Sequence, residues 1–287
     1  MSIQHRMVLN NPLKRNDIFR CTHQAHTNFD FSVSVNHVLK EKKCFPEGCI
    51  DFKWFCSSLK KENKCHRGFT SVGKECDGCR YFDEEKLQRI PKLLLSSEKY
   101  KNFIEHLDEF ESYFVGNKQR YIEFSGIIEA VKPFVVENRK PYSRRFDGFI
   151  LQFDGGYFGI DSIEDRIYTR IGSGSQQRFR FIAGDDLDFK CFIGLNKGRI
   201  ALSNIKGVRF NERGEGYLWN TGKAKVAVSS GKFLDIKLDK CYKCQMGILV
   251  DSAPQDCDEK RRRIFCLQGV ENPQECVYKI YKQYMQK

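Results

Sequence analysis

Long apolar segments are missing from this chain of 287 residues. No run approaches the roughly 20 apolar residues that a membrane-spanning helix needs, so we expect no membrane partner. The first twenty residues mix charged and polar side chains without a continuous apolar stretch, which argues against a secretory signal peptide. We therefore expect a cytoplasmic location.

Recognisable catalytic motifs are also missing. The chain has no H-E-x-x-H, no G-x-S-x-G, no P-loop and no G-x-G-x-x-G that opens a helix. Its histidines number only six, and four of them fall in the first 40 residues. Most acidic residues of the central segment lie at predicted turns, where such residues usually cap or face solvent. The sequence thus favours a binding protein over an enzyme.

Basic residues, by contrast, are abundant. Lys and Arg outnumber Asp and Glu by 49 to 37, which gives a formal net charge of +12. A basic balance of this size fits a polyanionic partner, either nucleic acid or an anionic membrane face. Solvated surface lysines are the plainer explanation, so the charge alone decides nothing.

Cysteine is the most informative residue type, with 13 in the chain. In a reducing compartment, clustered thiols more often bind metals than form disulfides. Six lie between Cys44 and Cys79 and five between Cys241 and Cys276. We interpret the isolated Cys21 and Cys191 as small buried hydrophobes, and leave Cys257 open because it lies in a predicted hairpin turn.

The C-terminal cysteines predict a closed metal site. A Cys-x2-Cys pair precedes two predicted strands, 247–251 and 261–265, with a polar turn at 254–260, and a short helix is expected at 277–285. Four thiolates fill a tetrahedral zinc site and leave no open position, so the ion would be structural. The predicted ligands are Cys241, Cys244, Cys266 and Cys276.

The N-terminal cysteines predict a second metal-binding module, because many turn formers surround few apolar residues there. We expect Cys76 and Cys79 to form one ligand pair, with Cys56 and Cys65 completing four. Cys44 and Cys49 are alternatives or part of a further site. Zinc is the expected metal, but an iron–sulfur cluster is equally compatible with cysteine ligands.

The middle of the chain predicts a β-barrel preceded by one helix. Apolar residues recur at helical spacing from Ser97 to Phe114. Short strands then alternate with glycine-marked turns, including a predicted hairpin at 154–156, whereas 172–175 is interpreted as a flexible turn. A bulge-prone Gly126 in the first strand and Gly184-Asp185 before a late strand resemble an OB-fold barrel.

The expected fold class is therefore α+β, mainly β: a central OB-like barrel flanked by two cysteine-rich modules, with one amphipathic helix before the barrel. The predicted segments are 1–85 (cysteine-rich module), 86–118 (helical connector), 119–220 (barrel) and 221–287 (zinc-ribbon-like module with a terminal helix).

Two basic loops of the barrel predict a nucleic-acid contact. OB barrels bind ligands with the loops after strands one and four and with the face of strands two and three. Cations follow a phosphate backbone, and aromatic rings stack on bases. The candidates are Arg139, Lys140, Tyr142, Arg144 and Arg145 in the first loop and Lys197 and Arg199 in the second. The apolar face could add Phe149, Phe153, Tyr157 and Phe158, although core packing is the more common role of such residues.

The order of a barrel, a Cys-x2-Cys pair, Arg261-Arg262 and two further cysteines resembles a group of uncharacterised prokaryotic proteins, in which an OB-like segment precedes a cysteine module. That resemblance implies no activity. We expect a metal-stabilised protein that binds single-stranded or structured RNA or DNA. An iron–sulfur redox or sensing protein and a protein-interaction adaptor of unknown partner are the alternatives.

Overall fold

The structure, a computed structural model, describes residues 6–23, 26, 31–62, 64–139, 142–234, 239–242, 244–252 and 261–276. The chain divides into two compact units. One unit comprises residues 11–110, and the other comprises residues 1–10 together with 111–287. The predicted turn at 254–260, Cys257 and the predicted helix at 277–285 lie outside the described residues.

The larger unit contains a closed five-stranded barrel, so the predicted mainly β class is confirmed. Its strands are β7 (Ile122–Arg139), β8 (Tyr142–Phe158), β9 (Asp161–Ile171), β10 (Asp186–Asn196) and β11 (Arg199–Glu212). Around the barrel the order is β7, β8, β9, β11, β10 and back to β7. The β9 and β11 strands run parallel, and the other neighbours are antiparallel. A short strand, β1 (Val8–Leu9), pairs in parallel with Ser162 and Ile163 of β9, ahead of the residues of β9 that pair with β11.

Aromatic side chains fill the barrel because alternate residues of each strand point inward. The Phe124 ring lies 5.0 Å from the rings of Phe153 and Phe189 and 5.4 Å from that of Phe158, measured between centroids. Aliphatic residues complete the core, among them Ile128, Leu151, Ile167, Leu187, Ile200 and Leu202.

Two turn predictions in the barrel are wrong. The 154–156 segment is no hairpin, because β8 continues through it with a bulge at Gly155, whose φ is 102°, and the chain turns only after Phe158. The 172–175 segment is no flexible turn either, because it opens a helix, α3 (Ser173–Phe179), that connects β9 and β10. The glycines of these two segments therefore mark a β-bulge and the start of a helix, and not two loops. The expected bulge near Gly126 is confirmed by a register shift between Ser125 and Ile128.

The C-terminal part of this unit forms a small sheet. It contains α4 (Thr221–Ser230), β12 (Lys232–Leu234), α5 (Asp239–Tyr242), β13 (Gly247–Ser252) and β14 (Arg261–Cys266). The strand order is β12, β14, β13, with antiparallel pairs, so both strands predicted there are confirmed. Leu234, Ile264 and Cys266 form its buried cluster.

The smaller unit is built from short elements and one long ribbon. A three-stranded sheet pairs β2 (Phe19–Arg20) with β3 (Ser32–Val33) and with β6 (Lys92–Leu93). The ribbon joins β4 (Cys49–Cys56) to β5 (Phe82–Arg89) in eight antiparallel pairs. Between them lies α1 (Ser57–Glu62), and a π-helical turn (Asn36–Glu41) precedes them.

The predicted amphipathic helix is confirmed as α2 (Ser97–Gly116). Ser96 caps the N-terminus of this helix: its Oγ accepts a hydrogen bond from the Lys99 N–H at 3.5 Å. Its apolar residues Phe103, Leu107, Phe110 and Phe114 are buried at the expected helical spacing. The division between the two units falls within this helix.

Candidate functional site

The outward face of β8 and β9 collects cations and aromatic rings. Along both strands, buried residues such as Phe153 and Ile167 alternate with residues that point away from the core. Register places three outward residues of β9 beside β8: Arg166 opposite Asp154, Tyr168 opposite Gln152, and Arg170 opposite Ile150. We call Arg166, Tyr168, Arg170, Phe134 and Arg199 the arginine face.

Cation–aromatic contacts organise this face. The Arg170 guanidinium lies 4.4 Å from the Phe134 ring centroid and 2.8 Å from an Asp147 carboxylate oxygen. The Arg199 guanidinium lies 5.5 Å from the Tyr168 ring centroid. Burial raises the pKa of Tyr168, so its phenol stays neutral at physiological pH. Two guanidinium–ring pairs thus lie on one sheet surface.

A polar network holds the remaining arginine in place. Arg166 Nη2 donates to Glu129 Oε1 at 3.2 Å, and its Nε lies 3.9 Å from Asp154 Oδ1. Gln152 donates from its amide to the other oxygen of Glu129. Glu129 therefore fixes the direction of Arg166 on the barrel surface.

The predicted first loop is mostly strand: Arg139 is the last residue of β7, and Tyr142, Arg144 and Arg145 belong to β8. The two arginines of β8 have different environments. Arg144 Nη1 donates to Gly231 O at 3.1 Å, and its guanidinium lies over the rings of Phe233 and Phe265. Arg144 therefore packs against the C-terminal sheet. The Arg145 side chain is 64% exposed and lies 3.7 Å from Asp147. Lys140 and the side chains of Arg139 and Tyr142 lie outside what the structure describes.

The second predicted loop is a tight turn at 196–199 between β10 and β11. Lys197 and Gly198 have φ values of 50° and 73°, the left-handed pair of a two-residue hairpin turn. Arg199, the first residue of β11, extends from this turn onto the arginine face.

The expected core role of the phenylalanines in β8 is confirmed. Phe149, Phe153 and Phe158 are buried, and of that set only Tyr157 is exposed. The guanidinium of Arg6 lies 5.4 Å from the Tyr157 ring centroid.

The C-terminal cysteines lie near one another. Burial raises the pKa of Cys241, and the nearby Cys244, Cys266 and Cys276 raise it further, against Lys240. The Cys244 Sγ accepts from the Met246 N–H at 3.4 Å, and Gly247 N–H donates to Cys244 O at 3.1 Å. Glycine is needed at 247, since a Cβ there would meet Cys241 O at 2.0 Å.

A buried lysine of the barrel supports this cysteine turn. Lys132 Nζ, on β7, donates to Cys244 O and to Gly247 O, both at 2.8 Å. Burial lowers the pKa of Lys132 to about 8, and Cys244 and Glu129 oppose that shift. One ammonium thereby ties the barrel wall to the backbone of the predicted ligand turn.

The four predicted N-terminal ligands gather at one end of the ribbon. Cys56 ends β4 opposite Phe82, whose N–H donates to Cys79 O, and Cys79 N–H donates to Cys76 O. Arg67 donates to Glu75 O at 2.9 Å, which ties the Cys65 turn to the segment before Cys76. Hydrogen bonds from the backbone N–H groups of Arg67 and Phe69 lower the pKa of the Cys65 thiol. A lowered pKa favours the thiolate, which is the form that binds metals.

No family model, characterised protein or solved structure matches this chain. The resemblance to prokaryotic barrel-and-cysteine proteins therefore stays a prediction.

Cys44 and Cys49 cannot complete the set at the ribbon end. Cys49 and Cys56 are the first and last residues of β4, and seven steps of about 3.3 Å separate them by about 23 Å. Of the two possibilities left open from the sequence, only membership of a further site fits this length.

Metal geometry itself is not formed. Within the described ranges, no group of three or more His, Cys, Asp or Glu side chains has the spacing of a metal site. Nor does any helix in those ranges have the length and hydropathy to cross a membrane.

Sequence reasoning missed the pairing of cations with rings on the arginine face. Of the arginine face, the sequence candidates included only Arg199. They contained neither Tyr168 nor Arg170, and Phe134, Arg166 and the anchoring Glu129 were also overlooked. Ile163, Ile167 and Ile171 are buried and recur every fourth residue, which places them on one side of a strand. That spacing was the signal that could have identified the even-numbered residues between them as the outward set.

Proposed function

We propose that this protein binds single-stranded nucleic acid on the arginine face of its barrel. The observation that carries the proposal is the pair of stacked guanidinium–ring contacts, Arg170 on Phe134 and Arg199 on Tyr168. Guanidinium groups pair with phosphates, and exposed rings and guanidinium planes stack on unpaired bases. A face that alternates the two suits a flexible strand better than a rigid duplex.

The barrel's strand order supports an OB-like interpretation. In OB-folds, the face of strands two and three and the loops after strands one and four form the oligonucleotide site. Here β8 and β9 are the second and third strands, and the turn at 196–199 follows the fourth. Arg199 leads from that turn onto the arginine face, so the expected face and one of the two expected loops contribute to it.

The proposal is tested with a matched pair of arginine variants. Arg170 and Arg209 are both exposed barrel arginines with an aspartate partner, Asp147 at 2.8 Å and Asp188 at 3.2 Å. We expect R170A to weaken binding of a labelled single-stranded oligonucleotide and to lower the salt slope by about 0.7 for a lost phosphate contact. R209A, on β11 away from the arginine face, should bind like the wild type.

The aromatic contribution is tested by Y168A, measured by fluorescence anisotropy across a salt series. Loss of one stacked base costs about 1–3 kcal/mol, which corresponds to a roughly 5- to 150-fold rise in Kd. Equal affinities for R170A, R209A and wild type at every salt concentration would contradict the proposal. Arg144 is unsuitable for this test because its removal would disturb the C-terminal sheet.

We further propose that zinc is the resident metal of the C-terminal ligand set and of the set at the ribbon end. Support comes from the influence of Cys244, Cys266 and Cys276 on the pKa of Cys241 and from the N–H donors directed at Cys244 and Cys65. Four cysteines per ion leave no open position, so both ions would brace the fold.

A further inference from the structure

Three cysteines of the 11–110 unit converge, although the sequence places them far apart. Two contacts bracket Cys21 against the 44–51 segment. The rings of Phe19 and Phe45 lie 5.1 Å apart, and His23 Nε2 lies 3.3 Å from Asp51 Oδ1. Burial alternates along 19–23, so the side chain of Cys21 points to the same side as those of Phe19 and His23.

Cys44 and Cys49 belong to the 44–51 segment that these two contacts hold against the 19–23 segment. Gly48 N–H donates to Cys44 O at 2.7 Å, which closes the turn that leads to Cys49. The Cys44 thiol donates to Val38 O at 3.9 Å, and the Cys49 thiol donates to Arg89 O at 3.7 Å.

Burial raises the pKa of Cys44, and the nearby Cys49 and Cys21 raise it further. Burial also raises the pKa of Cys49, with Cys21 and Asp51 adding to the effect. Together with the Phe19–Phe45 and His23–Asp51 contacts on either side of Cys21, these influences indicate that the three thiols lie in one partly desolvated region.

A fourth donor lies next to these thiols and is already oriented. His23 is held by Asp51, which in turn lies 3.5 Å from Arg89 Nε. Histidines that bind metals almost always donate their other ring N–H to a carboxylate or carbonyl, which fixes the ring. Asp51 also follows Cys49 by two residues on β4, so both side chains lie on the same face of the ribbon.

We propose that Cys21, Cys44, Cys49 and His23 form a tetrahedral zinc site. Three thiolates and one imidazole are an established structural zinc set. Two sulfurs on one zinc lie about 3.8 Å apart, given Zn–S bonds of about 2.3 Å at a tetrahedral angle. Each thiol releases its proton to solvent when it binds the ion.

Binding must still draw the ligands together. No three His, Cys, Asp or Glu side chains in the described part of the chain have ligand spacing, so zinc would pull Cys21 and His23 toward the Cys44–Cys49 pair. The site is separate from the one at the ribbon end, because β4 holds Cys49 about 23 Å from Cys56. The proposed zinc site does not depend on the proposed nucleic-acid binding, so either proposal can fail without the other.

The test compares two buried thiols in the full-length protein. Cys21 is 2% exposed and Cys191, inside the barrel, is 0% exposed. Elemental analysis of protein purified with zinc should show that C21S contains about one equivalent less zinc per chain than the wild type, whereas C191S retains the wild-type content. Circular dichroism establishes that each variant is folded, and C49S, altered at a half-buried position, replaces C21S if the latter does not fold.

The histidine ligand has its own test with an internal rescue. H23A should weaken zinc retention against a competing chelator, and H23C should restore it, because a thiolate can take the imidazole's position. H26A is the control, since its ring lies 5.6 Å from that of His23 but is not a proposed ligand. The proposal would be overturned if folded C21S or C49S protein contained as much zinc as the wild type.

Discussion

At the scale of single residues, Lys132 shows how one side chain connects two parts of the larger unit. Lys132 is only 7% exposed, and two carbonyl acceptors of the cysteine turn stabilise its ammonium. Burying a charge is costly unless such partners are present. The side chain therefore ties the position of the 244–247 turn to that of β7.

Replacing Lys132 with Met should expose this dependence. The change keeps an unbranched side chain of nearly the same length. It removes the Lys132 donor of Gly247 O and one of the two donors of Cys244 O, which keeps the Gly247 N–H. A buried acceptor without a partner costs about 1–3 kcal/mol, so we expect K132M to lower the free energy of unfolding by at least that amount. Urea denaturation measures it.

Lys190 provides the control. It lies on β10, 59% exposed and 3.4 Å from Glu123, so K190M removes the same charge from the same barrel without orphaning a buried group. We expect its stability to stay within about 0.5 kcal/mol of the wild type. Equal losses in K132M and K190M would show that the buried contacts contribute nothing specific.

Single residues also show where sequence reasoning stops. The sequence showed that the predicted first loop is basic. It could not show that Arg144 packs on the rings of Phe233 and Phe265, because both residues lie far away along the chain. An arginine in a loop and an arginine packed on a neighbouring sheet have the same local sequence signals. Only the long-range fold separates them.

At the scale of elements, β8 is the most instructive case. Asp154-Gly155-Gly156 has the composition of a hairpin turn, yet the strand passes through it because Gly156 lies against the Phe124 ring. A Cβ at Gly156 would lie 2.6 Å from a ring carbon of Phe124 and 2.8 Å from Ser125 O. Position 156 therefore requires glycine because neighbouring groups approach it closely, and not because the chain turns there.

We therefore expect G156A to destabilise the barrel. The added methyl group must displace a ring at the centre of the core, and overpacking of this kind costs about 1–3 kcal/mol. At Gly194, in β10, an added methyl group would have no neighbour within 4 Å and the φ is not positive, so G194A is the matched control. Thermal unfolding of both variants tests this, and an unchanged melting temperature for G156A would contradict it.

Elements with regular periodicity were predictable from the sequence. The helical spacing of aromatic residues gave α2, and the two apolar runs near the C-terminus gave β13 and β14. Elements with weak local signals were not: the first turn of α3 contains Ser-Gly-Ser, a sequence with low helix propensity. Its burial of Gln176, which donates to Phe181 O and Trp219 O, is a tertiary contact that overrides that propensity.

At the scale of the whole molecule, the proposed ligand cysteines fall into three sets: the C-terminal turn, the ribbon end, and Cys21 with Cys44 and Cys49. Sequence spacing suggested the first two, because their members are close along the chain, and left Cys44 and Cys49 open as part of a further site. Cys21 was not assigned to that site because it has no cysteine neighbour in sequence. Long-range packing, here the Phe19–Phe45 contact, is what brings it to the others.

Metal analysis of the intact protein should reflect this arrangement. We expect zinc and no visible absorption band after anaerobic purification, because all three proposed ligand sets suit a closed tetrahedral ion. Iron with labile sulfide would contradict zinc and favour the redox alternative.

Removing the metal should change thiol reactivity unevenly. After chelation, we expect the cysteines of the C-terminal set to react with iodoacetamide, whereas Cys191 stays protected. Burial raises the pKa of Cys191 to about 12 and leaves its side chain fully covered in the barrel. Mass spectrometry of the alkylated protein distinguishes the two. Labelling of Cys191 at the same rate would indicate that the barrel itself unfolds without metal.

The Phe124 ring has a consequence for how this chain can change over time. It occupies the space above Gly126 as well as Gly156, since a Cβ at Gly126 would lie 2.8 Å from the ring. A smaller side chain at 124 would make room for a methyl group at 126, whereas at 156 the Ser125 carbonyl oxygen, 2.8 Å from the added Cβ, would still stand in the way. Mutational drift at 124 and 126 should therefore be correlated: a library selected for folded protein should return alanine at 126 mainly in clones that have already lost the phenylalanine, and should return alanine at 156 rarely in either background.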